Sequence, residues 1–247
     1  MSAEVDESAP APPREDAISE EHAYSAVAGG GHVSVDRHKR RTTLTLPVVP
    51  EPSILVHPLV SFTAVVVARW RRMQAFHAGA FVIDGEAWGV LGDRGAGKSS
   101  LLAALNRIGH AVLADDVVVV DQGRCLAGPR AVDLRREAAR LFPEAQPRGV
   151  VGARERWRVP LGRVPPYTPL RGWLSLGWGD PAARVLPPQR RIQVLSENLA
   201  VRLPPPDPSA FLELAGRPVI EISRPRALSR VVESATEVVQ ATHRLMV

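Results

Sequence analysis

The residues best suited to chemistry in this chain lie in one short glycine-rich segment. Gly92 is followed, after four residues, by Gly97, Lys98 and Ser99. Glycines at these positions let backbone N–H groups turn toward phosphate oxygens, and a helix that starts directly after them adds the positive end of its dipole. The lysine ammonium supplies charge for the terminal phosphates, and the serine hydroxyl is a magnesium ligand. The spacing therefore predicts a Walker A loop for a nucleoside triphosphate, ATP with Mg²⁺.

The predicted nucleotide contacts are nine consecutive residues: Gly92, Asp93, Arg94, Gly95, Ala96, Gly97, Lys98, Ser99 and Ser100. The alternative is a glycine-rich turn whose lysine faces solvent. A strand pattern stands directly before the loop and an amphipathic helix pattern directly after it. Phosphate-binding loops connect these two kinds of element, so the context favours phosphate binding.

An acidic pair, Asp115 and Asp116, follows the loop after one predicted helix and one turn. Carboxylates at the end of a strand beside a phosphate loop are suited to hold Mg²⁺ and to accept a proton from an attacking hydroxyl. The alternative is that the two aspartates merely occupy a solvated strand end or a bulge. The pair predicts phosphoryl transfer in addition to nucleotide binding.

The elements that must position these residues form a strand–loop–helix–strand unit. Apolar residues 81–83 and 87–91 flank Asp84-Gly85, a pair typical of a two-residue hairpin turn. Helical spacing of apolar residues predicts a helix over residues 99–108, and residues 112–120 predict the next strand. The unit predicts an α/β fold, a mixed sheet with flanking helices. Strands are also predicted over residues 155–161 and 170–176, and helices over residues 132–141, 210–215 and 228–246.

Four regions are predicted along the chain. Residues 1–30, rich in Pro, Ala, Ser and Glu, have the composition of a disordered tail. Residues 31–72 are expected to form N-terminal strands that pack on the core, and they include strand-like residues 55–67. Residues 73–205 are the predicted P-loop core, and residues 206–247 a C-terminal helical segment.

Composition excludes several classes of protein. The chain has 247 residues, a single cysteine and hence no internal disulfide, and its longest apolar runs are too short to span a membrane. The N-terminal residues lack the apolar core of a signal peptide, so we expect a cytoplasmic protein without a membrane partner. Net charge is +5, but no platform of interleaved aromatic and basic residues is present, which argues against nucleic-acid binding.

Together these residues resemble the catalytic domain of the HPr kinase/phosphorylase family. The resemblance runs from His77, through the hairpin and the glycine loop, to the Gly109-His110 turn and the pair Asp115-Asp116. It implies a P-loop kinase core with a fold akin to phosphoenolpyruvate carboxykinase, and transfer of the ATP γ-phosphate to a serine hydroxyl. The chain looks most like the short HPr-kinase-like proteins, some of which act in peptide natural-product pathways and phosphorylate a precursor peptide.

The resemblance also implies roles for individual residues. Asp115 matches the acidic residue that activates the acceptor hydroxyl as a base, and Asp116 would support the Mg²⁺ that Ser99 binds. His77 matches an active-site histidine, whereas from the sequence alone a core or capping histidine is an equal alternative. Residues 149–158 are the best substitute for the family's glycine/arginine signature loop, and the alternative there is a solvated arginine-rich loop. The family forms oligomers, so a homo-oligomer is left open.

Two functional hypotheses follow. The first is an ATP-dependent kinase that acts on a Ser/Thr hydroxyl of a protein or peptide acceptor, of which a precursor peptide is one candidate. The second is a catalytically slow ATP-binding module, in which the nucleotide controls the assembly of a partner. The intact aspartate pair favours the first hypothesis, and the uncertain signature loop favours the second.

Overall fold

Strands dominate the computed structural model, which describes residues 17–151 and 154–246. The strands are β1 Ala17–Ile18, β2 His22–Ala26, β3 His32–Asp36, β4 Arg41–Thr45, β5 Gln74–Phe76, β6 Gly79–Ile83, β7 Glu86–Leu91, β8 Val112–Ala114, β9 Val118–Asp121, β10 Arg124–Leu126, β11 Ala131–Leu134, β12 Gln146–Val151, β13 Arg154–Pro160, β14 Tyr167–Trp178, β15 Ala182–Val185 and β16 Val219–Arg224. The α-helices are α1 Pro52–Ile54, α2 Ser61–Trp70, α3 Lys98–Arg107, α4 Arg136–Ala139, α5 Pro188–Glu197, α6 Pro208–Gly216 and α7 Val231–Met246. A π-helical turn, Leu55–Leu59, precedes α2, and a 3₁₀ turn, Leu228–Arg230, precedes α7.

The main sheet is mixed and has nine strands among the described residues, which confirms the prediction of an α/β fold with a mixed sheet. Its order is β5-β9-β10-β14-β7-β6-β8, with β16 on β14 and β15 on β16. The long strand β14 runs parallel to both β7 and β16, and antiparallel to β10. Three parallel strands therefore end at the same edge of the sheet, the edge at which ligands bind in open α/β folds.

The predicted strand–loop–helix–strand unit lies at the centre of this sheet. Strands β6 and β7 form the hairpin, and the turn residues Asp84 and Gly85 both have positive φ, 50° and 80°. The chain then passes through the glycine loop into α3 and returns as β8, which pairs with the far side of β6. Because β6 is antiparallel to both neighbours, β7 and β8 are parallel and α3 is the crossover between them.

Helices cover both faces of the main sheet. Buried residues of α3 and α7 form one hydrophobic cluster against it, and buried residues of α5 and α6 form the other. Along β14 the side chains alternate, so Trp173 belongs to the second cluster and Leu174 to the first. The site strands are thus held rigidly between two apolar layers.

The N-terminal region corrects two predictions. Residues 1–16 lie outside the described residues, but residues 17–26, predicted as part of a disordered tail, form strands β1 and β2 of a separate four-stranded sheet. Residues 55–67, predicted as strand-like, are mostly helical, with a kink at His57, whose backbone is extended (φ −150°, ψ 123°). In α2 the side chains of Phe62, Val66 and Trp70 lie on one helical face and pack on this sheet, so tertiary packing overrides the strand preference of the β-branched residues.

Three further boundaries differ from the predictions. The strand predicted over residues 112–120 is interrupted by the acidic pair, and its two halves, β8 and β9, pair with different neighbours. The helix predicted over residues 132–141 begins as strand β11, since Val132 and Leu134 are buried in a sheet, and only its second half is helical. The predicted C-terminal helical segment contributes β16 to the main sheet, because its apolar residues alternate between the two clusters.

A small sheet, ordered β11-β13-β12, lies beside the edge of the main sheet that carries the glycine loop. Its buried Arg158 binds Asp133 through two N–H···O bonds of 2.7 and 2.8 Å. The same guanidinium donates to the backbone oxygens of Ser53 and His57 in the segment that leads into α2. This ion pair therefore fastens the N-terminal region to the small sheet.

Within the described ranges, 17–151 and 154–246, no single helix has the length and apolar composition of a membrane span. The segments Pro52–Leu59 and Ser61–Trp70 meet both criteria only as a pair, which is bent by 50°.

Candidate functional site

The glycine loop connects the end of β7 to the start of α3. Gly95 has a φ of 93° with open space around it, a conformation that glycine adopts without strain. Gly97 has a φ of 78°, and a Cβ there would lie 3.0 Å from the Trp178 ring and 3.1 Å from the Arg224 guanidinium. Both the backbone conformation and the close packing therefore require glycine at Gly97.

Lys98 begins α3 and points back across the loop. Its ammonium donates to the backbone oxygen of Gly92 at 2.5 Å and lies 3.4 Å from that of Asp93. Burial lowers the pKa of Lys98, and the nearby carboxylates of Asp115 and Asp116 act in the opposite direction. The lysine is thus a largely desolvated cation at the mouth of the loop, where an incoming phosphate oxygen is the natural partner.

Ser99, the next residue, donates its hydroxyl to Oδ1 of Asp115 at 3.0 Å. Asp115 is buried directly after β8, and burial raises its pKa to about 7, with the charge of Asp116 adding to the effect. The carboxyl has no cationic hydrogen-bond partner among the described residues. The arrangement resembles a general base held beside a phosphate loop, a group that needs a pKa near neutrality.

Asp116 occupies the break between β8 and β9, in the left-handed backbone region with a φ of 72°. Its backbone oxygen lies 3.1 Å from Nδ1 of His77, and its Oδ1 lies 3.5 Å from the same nitrogen. Burial lowers the pKa of His77, and the charge of Lys98 lowers it further. The structure thus pairs Asp116 with His77 and Ser99 with Asp115, whereas the family resemblance implies Ser99 and Asp116 as the metal ligands.

A cavity of about 420 Å³ opens over the loop. Nine of the eleven predicted loop and aspartate residues line it together with His77, and the two that do not are Gly92 and Ala96. Gly92 is buried beneath the loop, where its N–H donates to Asn198 and its oxygen accepts from Lys98. Ala96 is also buried, and its oxygen accepts from Arg224. These two residues shape the loop from below.

Trp178 and Arg224 support the loop, and neither residue is among the site residues predicted from the sequence. Trp178 donates its indole N–H to the oxygen of Gly95 at 3.2 Å, and the Arg224 guanidinium lies 4.5 Å from its ring centroid. Arg224 is buried, which lowers its pKa to about 10. The two residues end β14 and β16, so only the parallel pairing of these strands brings them to the loop. A sequence signal would have required prediction of β16 and of its partner.

The arginine-rich segment over residues 149–158 divides between two surroundings. Arg154 and Arg156 line the cavity, whereas Arg158 does not line it and binds Asp133, which does. The Nε atom of Arg156 is buried and has no hydrogen-bond partner in the described chain. The segment therefore brings cations to the cavity and a structural ion pair to the scaffold behind it.

The residues around the cavity fit a triphosphate with a magnesium ion. The glycine loop, the buried lysine and the start of α3 form a cradle for phosphates. Among the described residues no group of three or more His, Cys, Asp or Glu side chains is placed to hold a metal ion. Magnesium in nucleotide sites binds through one or two carboxylates together with substrate phosphates, so a serine hydroxyl beside a carboxylate is a suitable donor set.

Comparison with known proteins gives distant likenesses among solved structures alone. No family model matches the chain, and no curated protein matches it. Among solved structures it is similar to the Hpr(Ser) kinase/phosphatase from Coxiella burnetii, with 16% sequence identity and a TM-score of 0.34 over 69% of this chain and 99% of that chain. This is a distant structural relationship, and the roles of the residues rest on the geometry of the site itself.

Proposed function

We propose that this chain is an ATP-dependent kinase that transfers the γ-phosphate to a Ser or Thr hydroxyl of a protein or peptide. The observation that carries the proposal is the contact between Ser99 and Asp115, which places a buried carboxyl beside a phosphate loop. A loop that only binds nucleotide does not need a desolvated carboxyl of this kind. A kinase does, because the acceptor hydroxyl must lose its proton as the phosphoryl group arrives.

In the proposed reaction Asp115 is the general base. The acceptor oxygen forms a bond to the γ-phosphorus, the bond from that phosphorus to the bridging oxygen of ADP breaks, and the acceptor proton passes to the Asp115 carboxylate. Lys98 and the glycine loop orient the phosphates and offset their charge, which is the largest contribution a protein makes to phosphoryl transfer. His77 lies against Asp116 and holds that side of the cavity.

ATP and Mg²⁺ would be held by residues that line one cavity. Backbone groups from Gly95 to Ser100 and the ammonium of Lys98 would hold the phosphates, while Ser99 and Asp116 would supply metal ligands. A bound magnesium ion neutralises phosphate charge.

The experiment that tests the proposal measures transfer of labelled γ-phosphate from ATP into peptides and proteins, alongside ATP affinity by calorimetry. Lys98→Ala should lose ATP binding, since a buried cation that faces the phosphates is removed. Asp115→Asn should keep ATP binding within about threefold and lose transfer by about 10²–10⁴-fold. Asp115→Glu, which keeps the carboxyl, should retain more transfer than Asp115→Asn.

Two outcomes decide between the hypotheses. Full transfer by Asp115→Asn would remove Asp115 as the base and contradict the proposed mechanism. ATP binding without transfer to any acceptor, in wild type and variant alike, would favour the alternative, a module in which the nucleotide controls the assembly of a partner.

A further inference from the structure

Three exposed arginines from three separate elements line the mouth of the cavity. Arg94 lies in the glycine loop, Arg135 directly precedes α4, and Arg154 begins β13. We refer to these three residues as the arginine rim. None of their side chains makes a hydrogen bond or ion pair with another described residue, whereas the neighbouring Arg136 is bound to Glu155 at 2.8 Å.

The arginine rim is a site of concentrated positive charge. The pKa of Arg154 is lowered by the charge of Arg135 first and of Arg94 second. The charge of Arg94 also acts on Lys98 within the loop. The charge of Arg94 thus acts both on Lys98 in the loop and on Arg154 at the mouth of the cavity. Exposed cations gathered in this way, none of them ion-paired with a described acid, are typical of a surface that binds an anion.

The excess of charge is larger than the nucleotide needs. Seven cationic side chains line the cavity, namely the arginine rim, Lys98, Arg156, Arg224 and Arg226. Of the six acidic side chains that line it, Asp133 and Glu155 are already ion-paired with arginines outside the lining. Four acids thus remain against seven cations, an excess of three, while ATP with bound magnesium brings about two negative charges.

We propose that the acceptor is an acidic peptide, whose Asp or Glu side chains near the reacting hydroxyl bind the arginine rim. The inference rests on the proposed function and names the class of its substrate. Arginine is suited to this role because its planar guanidinium binds a carboxylate through two parallel hydrogen bonds. A single-stranded nucleic acid is disfavoured because its successive bases stack on several aromatic rings, and Trp178 is the only Phe, Tyr or Trp among the described residues that line the cavity.

The test uses three fluorescent peptides of one length, each with a single serine flanked by aspartates, asparagines or lysines. Binding is measured by anisotropy with Mg²⁺ and a non-hydrolysable ATP analogue present. The aspartate peptide should bind at least about tenfold more tightly than the asparagine peptide. Its affinity should fall as the salt concentration rises from about 0.05 M to about 0.5 M, because salt screens exposed charges over this range.

The double variant Arg135→Gln/Arg154→Gln should remove most of this preference, a loss of about tenfold in affinity for the aspartate peptide. The matched control is Arg163→Gln, an exposed arginine that does not line the cavity. Affinity for the ATP analogue should stay within about twofold in both variants. Equal loss of nucleotide and peptide affinity in the double variant would assign the rim to the nucleotide and overturn the inference.

Further outcomes separate this inference from the kinase proposal. Arginine-dependent binding of the aspartate peptide without phosphate transfer would support the role of the arginine rim in peptide binding and contradict the proposal that the chain is a kinase. Equal transfer to all three peptides would support the kinase proposal and overturn the inference that the arginine rim selects an acidic peptide. An oligonucleotide of matched charge that binds as tightly as the aspartate peptide would also overturn it, since the rim would then recognise charge of any origin.

Discussion

Buried charges have different partners in the phosphate-loop region and in the small sheet β11–β13–β12. In the small sheet, Asp133 and Arg158 are 5% and 7% exposed and neutralise each other through two hydrogen bonds. In the loop region, Asp115 and Arg224 are each 4% exposed, yet neither has an ionic partner among the described residues. The paired charges hold the scaffold, and the unpaired ones surround the place where phosphates would bind.

The difference has an energetic basis. An ion pair with good geometry recovers much of the free energy lost when two charges leave water, but a single buried charge does not. The cost appears as shifted pKa values, raised to about 7 for Asp115 and lowered to about 10 for Arg224. A site that keeps such groups without partners is pre-organised for a charged substrate, and functional sites are where perturbed pKa values concentrate.

The largest expected effect on stability comes from the Asp133–Arg158 ion pair of the small sheet. Arg158→Met removes the cation but keeps an apolar stem, which leaves Asp133 buried and unpaired and also frees the oxygens of Ser53 and His57. The free energy of unfolding should fall by about 3–5 kcal/mol. Denaturant unfolding measures it, with Arg136→Met as control, because that arginine pairs with Glu155 on the exposed surface and should lose less than about 1 kcal/mol. Equal losses of unfolding free energy in the two variants would mean that the buried Arg158–Asp133 pair contributes no more than the exposed Arg136–Glu155 pair.

Removal of the unpaired carboxylate of Asp115 should have the opposite effect and stabilise the fold. The pKa of Asp115 is higher in the folded chain than in the unfolded chain, so the folded state binds more protons between about pH 4 and pH 7 and loses stability as pH rises through that window. Asp115→Asn carries no such charge. In metal-free buffer at pH 8 it should therefore be more stable than wild type by about 2–4 kcal/mol, and at pH 4 the gain should vanish.

Thermal unfolding of both proteins at the two pH values tests this gain. Asp115→Asn that is less stable than wild type at pH 8 would mean that the carboxylate is a structural group like Asp133. The comparison of the two regions would then fail, whatever the effect of the variant on catalysis.

A smaller effect is expected at Arg224. Arg224→Met should change stability by less than about 1 kcal/mol, because the methionine stem keeps contact with Trp178 and no carboxylate loses its partner. ATP affinity should fall about tenfold, since the bond to Ala96 that holds the loop is lost together with a nearby cation. Trp178→Phe, which keeps a ring but not the donor to Gly95, should cost less than about threefold. Calorimetric titration with ATP would contradict this order if Trp178→Phe were the more damaging change.

The sequence could predict the parts of the site that lie close together along the chain. The hairpin, the loop, α3 and the aspartate pair depend on turn residues and on helical spacing within one short block. The break in the strand at Asp116 was not predicted, because a run of valines favours a continuous strand and the break depends on two halves pairing with different neighbours.

The supporting residues could not be predicted from local pattern. Trp178 and Arg224 contact the loop only because β16 lies parallel to β14. The apolar residues of β16 do not by themselves predict which strand it pairs with. The arginine rim has the same origin. Its members come from a loop, a helix start and a strand start, and only the folded chain shows that they share one cavity.

The smallest expected effect on stability concerns His57, which lies beside the Asp133–Arg158 ion pair. It is buried, with its Nε2 atom 3.7 Å from Oδ2 of Asp133. Burial lowers its pKa most, the carboxylates of Asp133 and Asp116 raise it, and the guanidiniums of Arg158 and Arg156 lower it. The folded chain therefore keeps His57 neutral at a pH where the unfolded chain, with an ordinary pKa of about 6.5, takes up a proton.

The unfolded state then binds more protons below about pH 6.5, so the contribution of His57 to stability is present above that pH and is lost as the pH falls. The loss should reach about 1 kcal/mol by about pH 5.5 and be absent in His57→Gln. Asp115 acts with the opposite slope, because its contribution is lost as the pH rises. A pH series of unfolding on wild type, His57→Gln and Asp115→Asn separates the two. If His57→Gln has the same slope as wild type below about pH 6.5, the histidine is charged in the folded chain and belongs to the Asp133 ion pair.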